Sequence, residues 1–392
     1  MVEVGSIDVP LNTAQPHGAL AEARRRCPVA TSSPLGPDPR PRFNVVLWED
    51  VEAVLRDPET YSSRVYEGTL TLFTGPTMVG MDGDQHRRVR GVVAKAFQKS
   101  ALDRWERELV RPIFARLVDA IAANGRAELV DEVINKFPIQ VICGMYGVPL
   151  EDVDQFREWS DGIIGGSHDA QRGYACKAAM RDYLRPIVED RRADPREDDL
   201  LSELIGAVAR GELSEEEMWG TLVLLVVGGT DTTYNAIGSV VAGILRRPDI
   251  ADALRADPSL VPKVVEEGLR WEGPSARAER LVTRDVEIRG VPIPAGSALN
   301  VWLTSANYDE ERFATPEQLD LARDPAGHLT FGIGPHVCLG INLARAELRV
   351  AVELLFGRLA NLRLDPDRPG PEIAGTLMRG PDALHVRFDP CA

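Results

Sequence analysis

Absences narrow this chain first. Its five cysteines (Cys27, Cys143, Cys176, Cys338 and Cys391) are scattered, odd in number and never spaced C-x-x-C. That is neither a disulfide framework nor a zinc-finger pattern. Long hydrophobic runs are missing too. The longest purely aliphatic stretch, Leu222 to Val227, is far too short to span a bilayer, and the N-terminus has neither the basic start nor the apolar core of a signal peptide. These absences predict a cytoplasmic protein without a membrane anchor. Positive charge is scarce: 45 Lys and Arg against 60 Asp and Glu leave a formal charge of −15. Phosphate binding needs a basic face, so nucleic acid is excluded as a first expectation and anionic membrane surfaces are disfavoured. Aromatic residues are few, at 6%, but an apolar share of 44% is ordinary for a globular protein and argues against disorder.

What is present reads mainly as helix. The first forty-odd residues, with seven prolines between 10 and 41, are expected to be loop-like. A short strand is expected over 43–47, a helix over 48–55, and a long ordered loop over 59–83. Apolar residues at three- and four-residue spacing predict helices at 84–95, 100–123, 128–144, 150–164, 170–192, 197–209 and 214–245. Pro262 opens another helix that runs to Trp271. Strand-like segments follow over 280–303, then a glycine- and proline-rich stretch, a last helix at 341–359 and a hairpin near 376–388. No repeat or low-complexity tract is visible. The fold class expected is mainly α with small β-sheets, in a single domain spanning 1–392.

Four constellations carry chemistry. The sharpest is Phe331-Gly332-Ile333-Gly334-Pro335-His336-Val337-Cys338-Leu339-Gly340. Three glycines in one short loop imply unusual dihedrals or close approach to something flat, and a cysteine just before a long helix sits where N–H groups and the helix dipole favour a thiolate. A zinc site at His336 and Cys338 would lack two further ligands at credible spacing. The second is Glu267-Gly268-Leu269-Arg270, an i, i+3 pair on one helix face. The third is Leu224-Leu225-Val226-Val227-Gly228-Gly229-Thr230-Asp231-Thr232-Thr233. There two glycines interrupt a helix, threonine hydroxyls can bond back to carbonyls, and an acid follows an apolar run. The fourth is His86-Arg87-Arg88-Val89-Arg90, which puts His86 and Arg90 on one face, able to donate together to a carboxylate.

The cysteine segment resembles the haem-binding loop of the cytochrome P450 superfamily, F-G-x-G-x-H-x-C-x-G, at every fixed position, and the resemblance extends from about residue 40 to the end. It implies the cytochrome P450 fold, with haem b buried between a long central helix and the cysteine loop and helix. It makes Cys338 the axial thiolate ligand of the haem iron. Phe331, Gly332 and Gly228 would approach the macrocycle, and His86, Arg90, Arg280 and His336 would hold propionates. Glu267 and Arg270 match the family's ExxR pair, with Arg323 as the third member of that network. Asp231 and Thr232 match its oxygen-activation motif, as a catalytic proton relay. By family position the pocket would be lined by Phe73, Leu224, Val227, Ala276, Arg277 and Leu377. Two positions depart from the pattern: Tyr308 stands where an arginine is usual and Trp271 where a tyrosine is commoner.

The activity implied is that of a soluble, bacterial-type monooxygenase. It would use O₂ to hydroxylate or epoxidise a small organic substrate in secondary metabolism. No G-x-G-x-x-G follows a strand, so NAD(P)H is expected to act through a ferredoxin reductase and a ferredoxin. Arg87, Arg88, Lys95, Arg345 and Arg349 would form the basic patch that steers an acidic ferredoxin to a monomeric enzyme. The alternatives are oxidative coupling or another oxidation on the same iron, and a haem-binding sensor without turnover.

Overall fold

The computed structural model describes residues 16–32, 38–197 and 199–390. One helix organises the rest. The central helix, Glu215–Leu245, opens with a capping box in which the Ser214 side chain accepts from the Glu217 N–H and Glu217 accepts from the Ser214 N–H. Three glutamates fill its first turn, where negative charge meets the positive end of the helix dipole. Each also grips another helix: Glu215 pairs with Arg192, Glu216 with Arg181 and Glu217 with Arg88. Most of the remaining residues of this helix are buried, as an almost uniformly apolar run requires. Against it lie the helices Phe137–Tyr146, Val153–Ile164 and Val261–Trp271, and the cysteine helix Ile341–Arg358.

Beside this helical body a five-stranded sheet takes the order Val29–Ser32, Arg42–Val45, Ala298–Val301, Ala278–Val282, Tyr61–Ser62. Only the pairing of Arg42–Val45 with Ala298–Val301 is parallel. Its register sets Arg280 opposite Leu299, which fixes where the Arg280 guanidinium emerges. The small hairpin Val286–Ile288 and Val291–Ile293 turns through Arg289 and Gly290, both with positive φ (51° and 78°), the geometry that two-residue hairpin loops favour.

Several expectations are corrected. The proline-rich N-terminus is not all loop: Pro16 begins a helix to Arg26, where a missing N–H costs nothing, and Val29–Ser32 joins the sheet. That helix is anchored by Arg24 to Glu310 and Ser305, and by His17 to Glu272. The 59–83 segment holds a strand, Tyr61–Ser62, and a short helix, Leu70–Thr74, between 3₁₀ turns. The helices expected over 100–123 and 128–144 contain π turns at Glu106–Val110 and Val130–Ile134, each of which rotates the apolar face that follows. The 376–388 region is not one hairpin. Gly380–Pro381 pairs back with Ile373–Ala374, whereas His385–Arg387 pairs with Arg126–Glu128 and Arg363–Leu364. Long-range pairing of this kind leaves no local signature.

Candidate functional site

The site is built where the cysteine loop leads into the helix Ile341–Arg358, which packs against the central helix. The loop turns through Gly332 and Gly334, with φ of 67° and 78°, a conformation that penalises any side chain. A Cβ on Gly334 would also lie 2.6 Å from the Leu55 carbonyl oxygen, so the loop sits directly on the helix Trp48–Arg56. The Cys338 N–H donates to the Phe331 carbonyl at 2.9 Å and closes the loop. The Cys338 side chain is exposed but surrounded by protein walls. Burial in those walls raises the thiol, opposed by the Gly340 N–H and by the charges of Arg90 and Arg345. The helix-end effect expected from the sequence is therefore outweighed by desolvation. A bound metal ion is what would deprotonate such a thiol.

On the central helix, Gly228 is exposed although Val226, Val227, Thr230 and Asp231 around it are buried, so the surface of the helix is left bare at that turn. A Cβ there would meet nothing within 4 Å. The Thr232 hydroxyl donates back to the Gly228 carbonyl at 2.7 Å, and Thr230 does the same to Val226 at 2.7 Å. Asp231 points elsewhere, as consecutive residues on a helix must. It is 7% exposed and its Oδ1 has no partner among the described residues. Burial, reinforced by the charge of Asp161, pushes its pKa up to about 7.

The cationic groups converge on the same region. Arg280 is buried, donates to the Glu279 carbonyl at 2.7 Å, and has no carboxylate partner among the described residues. Desolvation lowers its pKa, opposed chiefly by Tyr66 and Asp82. Arg90 donates to the Val337 carbonyl at 2.7 Å and likewise forms no ion pair among the described residues. The rings of His86 and His336 lie tilted against each other with centroids 4.1 Å apart, and the buried Nε2 of His86 has no hydrogen-bond partner among the described residues. Burial, with the charges of His336 and Arg90, brings His86 down to about 4. His336 Nε2 lies 3.4 Å from Asp82. Burial works to raise Asp82, but the imidazole of His336 beside it and hydrogen bonds from Ser62 and the Ser63 N–H prevail and hold it at about 2. A buried and a half-buried guanidinium, neither in a carboxylate ion pair among the described residues, and an imidazole with an unpartnered nitrogen fit a dianionic ligand edge. The open thiol and the Gly228 notch fit its flat face. Haem has both, so the residues present suit it.

Behind this region Glu267 and Arg270 are fully buried and joined by two hydrogen bonds of 2.8 Å. Arg270 also donates to the carbonyls of Asn307, Pro316 and Gln318, and Arg323 Nε reaches Glu267 at 3.1 Å. The structure thus brings these three residues together. Tyr308, the departure from the usual arginine, lies under Arg270 and is stacked by His17, with centroids 4.0 Å apart. Trp271 donates to the Glu317 carbonyl.

The pocket residues are placed less uniformly. Leu224 and Val227 lie on the central helix at 9% and 6% exposure, while Leu377 is half exposed. Phe73 is buried against Gly166 and Gly173, where an added Cβ would lie 2.7 Å from its ring. Ala276 packs beside Trp302 and Leu20, and Arg277 turns to the Thr376 carbonyl at 2.9 Å and over the Trp302 ring. The basic patch is corrected. Arg87 pairs with Asp84, Arg88 with Glu217, Lys95 with Glu212, Arg345 with Glu266 and Arg349 with Glu106, so none of these cations presents an unbalanced charge. Three carboxylates escaped the sequence reading: Asp82, Asp161 and Glu347. Glu347 alone carried a signal, as an acid on the cysteine helix between Ala346 and Leu348 and one turn from Leu343 and Val350.

A family model described as Cytochrome P450 matches residues 153–382. Among curated proteins, the chain is 36% identical over 376 residues to the methyl-branched lipid omega-hydroxylase of Mycobacterium tuberculosis, covering 90% of this chain and 87% of that protein. It is 37% identical over 355 residues to nocardicin C N-oxygenase of Nocardia uniformis, covering 88% and 89%. Among solved structures, the cytochrome P450 enzyme CxnD for C-S bond formation in chuangxinmycin biosynthesis superposes over the full length of both chains with a TM-score of 0.89 at 31% identity.

Proposed function

The chain belongs to the cytochrome P450 family and is a monooxygenase, and from that premise we propose that it binds haem b through Cys338 and oxidises a small, largely apolar organic substrate with electrons from a ferredoxin. The observation that supports this most directly is the open Cys338 side chain within reach of the Arg90 charge, together with the buried Arg280, neither cation having a carboxylate ion-pair partner among the described residues. Those cations, with His86 and His336, would hold the propionates. Phe331, Gly332 and Gly228 would take the faces of the macrocycle. Bound there, thiolate-ligated haem iron supplies activation of O₂, with one oxygen atom entering the substrate and the other leaving as water.

The chain's own residues supply the rest. Leu224 and Val227 offer an apolar wall that holds substrate and excludes water. Thr232 is placed by its bond to Gly228, and that hydroxyl is the group that would present a proton in the notch. Asp231 lies one residue away and can be either protonated or ionised near neutrality, the property required of a proton-relay acid. Glu267, Arg270 and Arg323 touch no reacting atom and would hold the frame behind the cysteine loop. The ferredoxin assignment is supported by the lack of a G-x-G-x-x-G dinucleotide motif in these 392 residues. Among the described residues no helix is long and apolar enough to cross a membrane, which supports a cytoplasmic setting. We take residues 1–392 as one domain.

The test is the absorption spectrum of the reduced protein under carbon monoxide. A strongly red-shifted Soret band is expected, and its absence from haem-loaded protein would remove Cys338 as the ligand.

A further inference from the structure

The N-terminal helix Pro16–Arg26 meets a buried acid at its first turn. Glu272 directly follows the helix Val261–Trp271 and is 5% exposed. Its Oε2 accepts two hydrogen bonds from Arg379, at 3.0 and 3.1 Å, and its Oε1 accepts one from His17 Nε2 at 2.8 Å. Burial works to raise Glu272, but the imidazole and guanidinium beside it prevail and hold it below its ordinary value. A carboxylate only accepts, so the ring proton belongs on Nε2 of His17; the buried Nδ1 has no partner among the described residues. Tyr308, which stands where an arginine is usual, gives the imidazole a flat face, with 4.0 Å between centroids and 20° between planes.

Through Arg379 this acid ties two turns together. Arg379 Nη1 donates to the Gly375 carbonyl at 2.8 Å, and its backbone N–H to the Pro274 carbonyl at 2.7 Å. The Ala276 N–H donates to the Leu377 carbonyl at 3.0 Å, and Arg277 to the Thr376 carbonyl at 2.9 Å. Gly375 turns with a φ of 109°, and a Cβ there would lie 1.8 Å from the Met378 carbonyl oxygen, so glycine alone fits this turn. Leu377 stands half exposed on it, and Ala276 lies on the other turn; both are pocket positions by family resemblance. Behind them Leu20 of the N-terminal helix packs with Ala276 and Trp302. The far end of that helix is fixed separately, by Arg24 to Glu310 and Ser305.

We propose that His17 is a positioning residue for substrate selection: through Glu272 and Arg379 it holds the turns 274–277 and 375–379 in one arrangement. The shape of the wall that Ala276 and Leu377 present is then set from outside the pocket, by the N-terminal helix. This rests on the haem and pocket reading of the site. His17 itself touches no reacting atom. Without its donor, Oε1 of Glu272 is left buried and unpaired among the described residues, which is costly, and the acid is free to move with both turns attached. A wall already held in its binding shape spares a ligand the cost of ordering it. Releasing the wall therefore penalises ligands large enough to reach it and spares those that stop short.

The experiment uses haem-loaded protein and two probes that bind haem iron through an imidazole nitrogen: imidazole itself, and clotrimazole, which adds three aryl rings. Each is titrated by the shift of the Soret band in wild type, His17→Ala, His17→Gln and Arg24→Ala. The Kd of clotrimazole should rise on the order of threefold or more in His17→Ala, a fraction of what a hydrogen bond to a charged group is worth, while that of imidazole stays put. Glutamine can set an amide N–H where Nε2 lies, so His17→Gln should recover most of the affinity. His17→Asn, whose amide falls short of Glu272, replaces the alanine variant if that one does not load with haem. Arg24→Ala loosens the same helix away from Glu272; it should lower Tm and leave the ratio of the two Kd values unchanged. An unchanged ratio in His17→Ala overturns the proposal. So does an equal change in Arg24→Ala, which would make docking of the whole helix responsible. The carbon monoxide spectrum and imidazole binding by the wild type report on the haem reading separately, so normal spectra with an unchanged ratio reject the role of His17 alone.

Discussion

Replacing Glu347 by glutamine should make the protein more stable, and increasingly so as pH rises. Glu347 lies on the cysteine helix, is 2% exposed, and leaves Oε1 without a partner among the described residues. Burial pushes it up to about 8 from an ordinary value of 4.5, opposed only by a hydrogen bond with Thr233 of the central helix. The folded state thus holds a proton that the unfolded chain releases above pH 4.5. Stability from this source is full below the unfolded value, falls as pH rises, and levels off above the folded value. At 1.36 kcal/mol per unit, the loss between pH 5 and pH 8 is about 3 kcal/mol. Glutamine is neutral throughout, has nearly the same shape and can keep the Thr233 bond, so the variant escapes that loss. For a chain of this length about 3 kcal/mol corresponds to about 3–4 °C in Tm. The assay is the difference in Tm, variant minus wild type, at pH 5 and pH 8 with matched haem content. It should grow by that amount toward pH 8. A difference that stays flat or shrinks with pH would show that Glu347 is ionised in the fold and would refute the argument.

Four further outcomes follow from the site. Cys338→His should give folded protein that still takes up haem but lacks oxygenase turnover, since imidazole does not donate charge as a thiolate does; wild-type turnover would defeat the ligand assignment. Thr232→Ala should leave haem content and substrate affinity nearly intact and divert reducing equivalents to hydrogen peroxide, read as product per NAD(P)H consumed. Glu267→Ala strands the buried Arg270 guanidinium, a loss of about 3–5 kcal/mol, and should yield poorly soluble, mostly colourless protein; normal haem occupancy would contradict it. Arg88→Glu should lower Tm before it alters reduction by a ferredoxin, because it places a carboxylate against Glu217 in the capping box of the central helix. Unchanged stability would return Arg88 to the set of free surface cations.

The sequence determined a good deal by itself. Strict local patterns set the helical body, because apolar spacing and the Ser214–Glu217 cap act within a few residues. They also set the cysteine loop, where glycines at 332 and 334 are required by backbone dihedrals alone. The ExxR pair was legible for the same reason: an i, i+3 spacing guarantees one face wherever the helix is placed. Only the tertiary structure decided which charges are balanced and which are stranded. Arg88 and Arg280 look alike in the sequence, yet one meets Glu217 from a distant helix and the other is buried without a carboxylate among the described residues. His17 and Glu272 lie far apart along the chain and meet only where the N-terminal helix docks. Desolvation and Coulomb interaction depend on distance through space and on the surrounding dielectric, and neither quantity is written in the order of the residues.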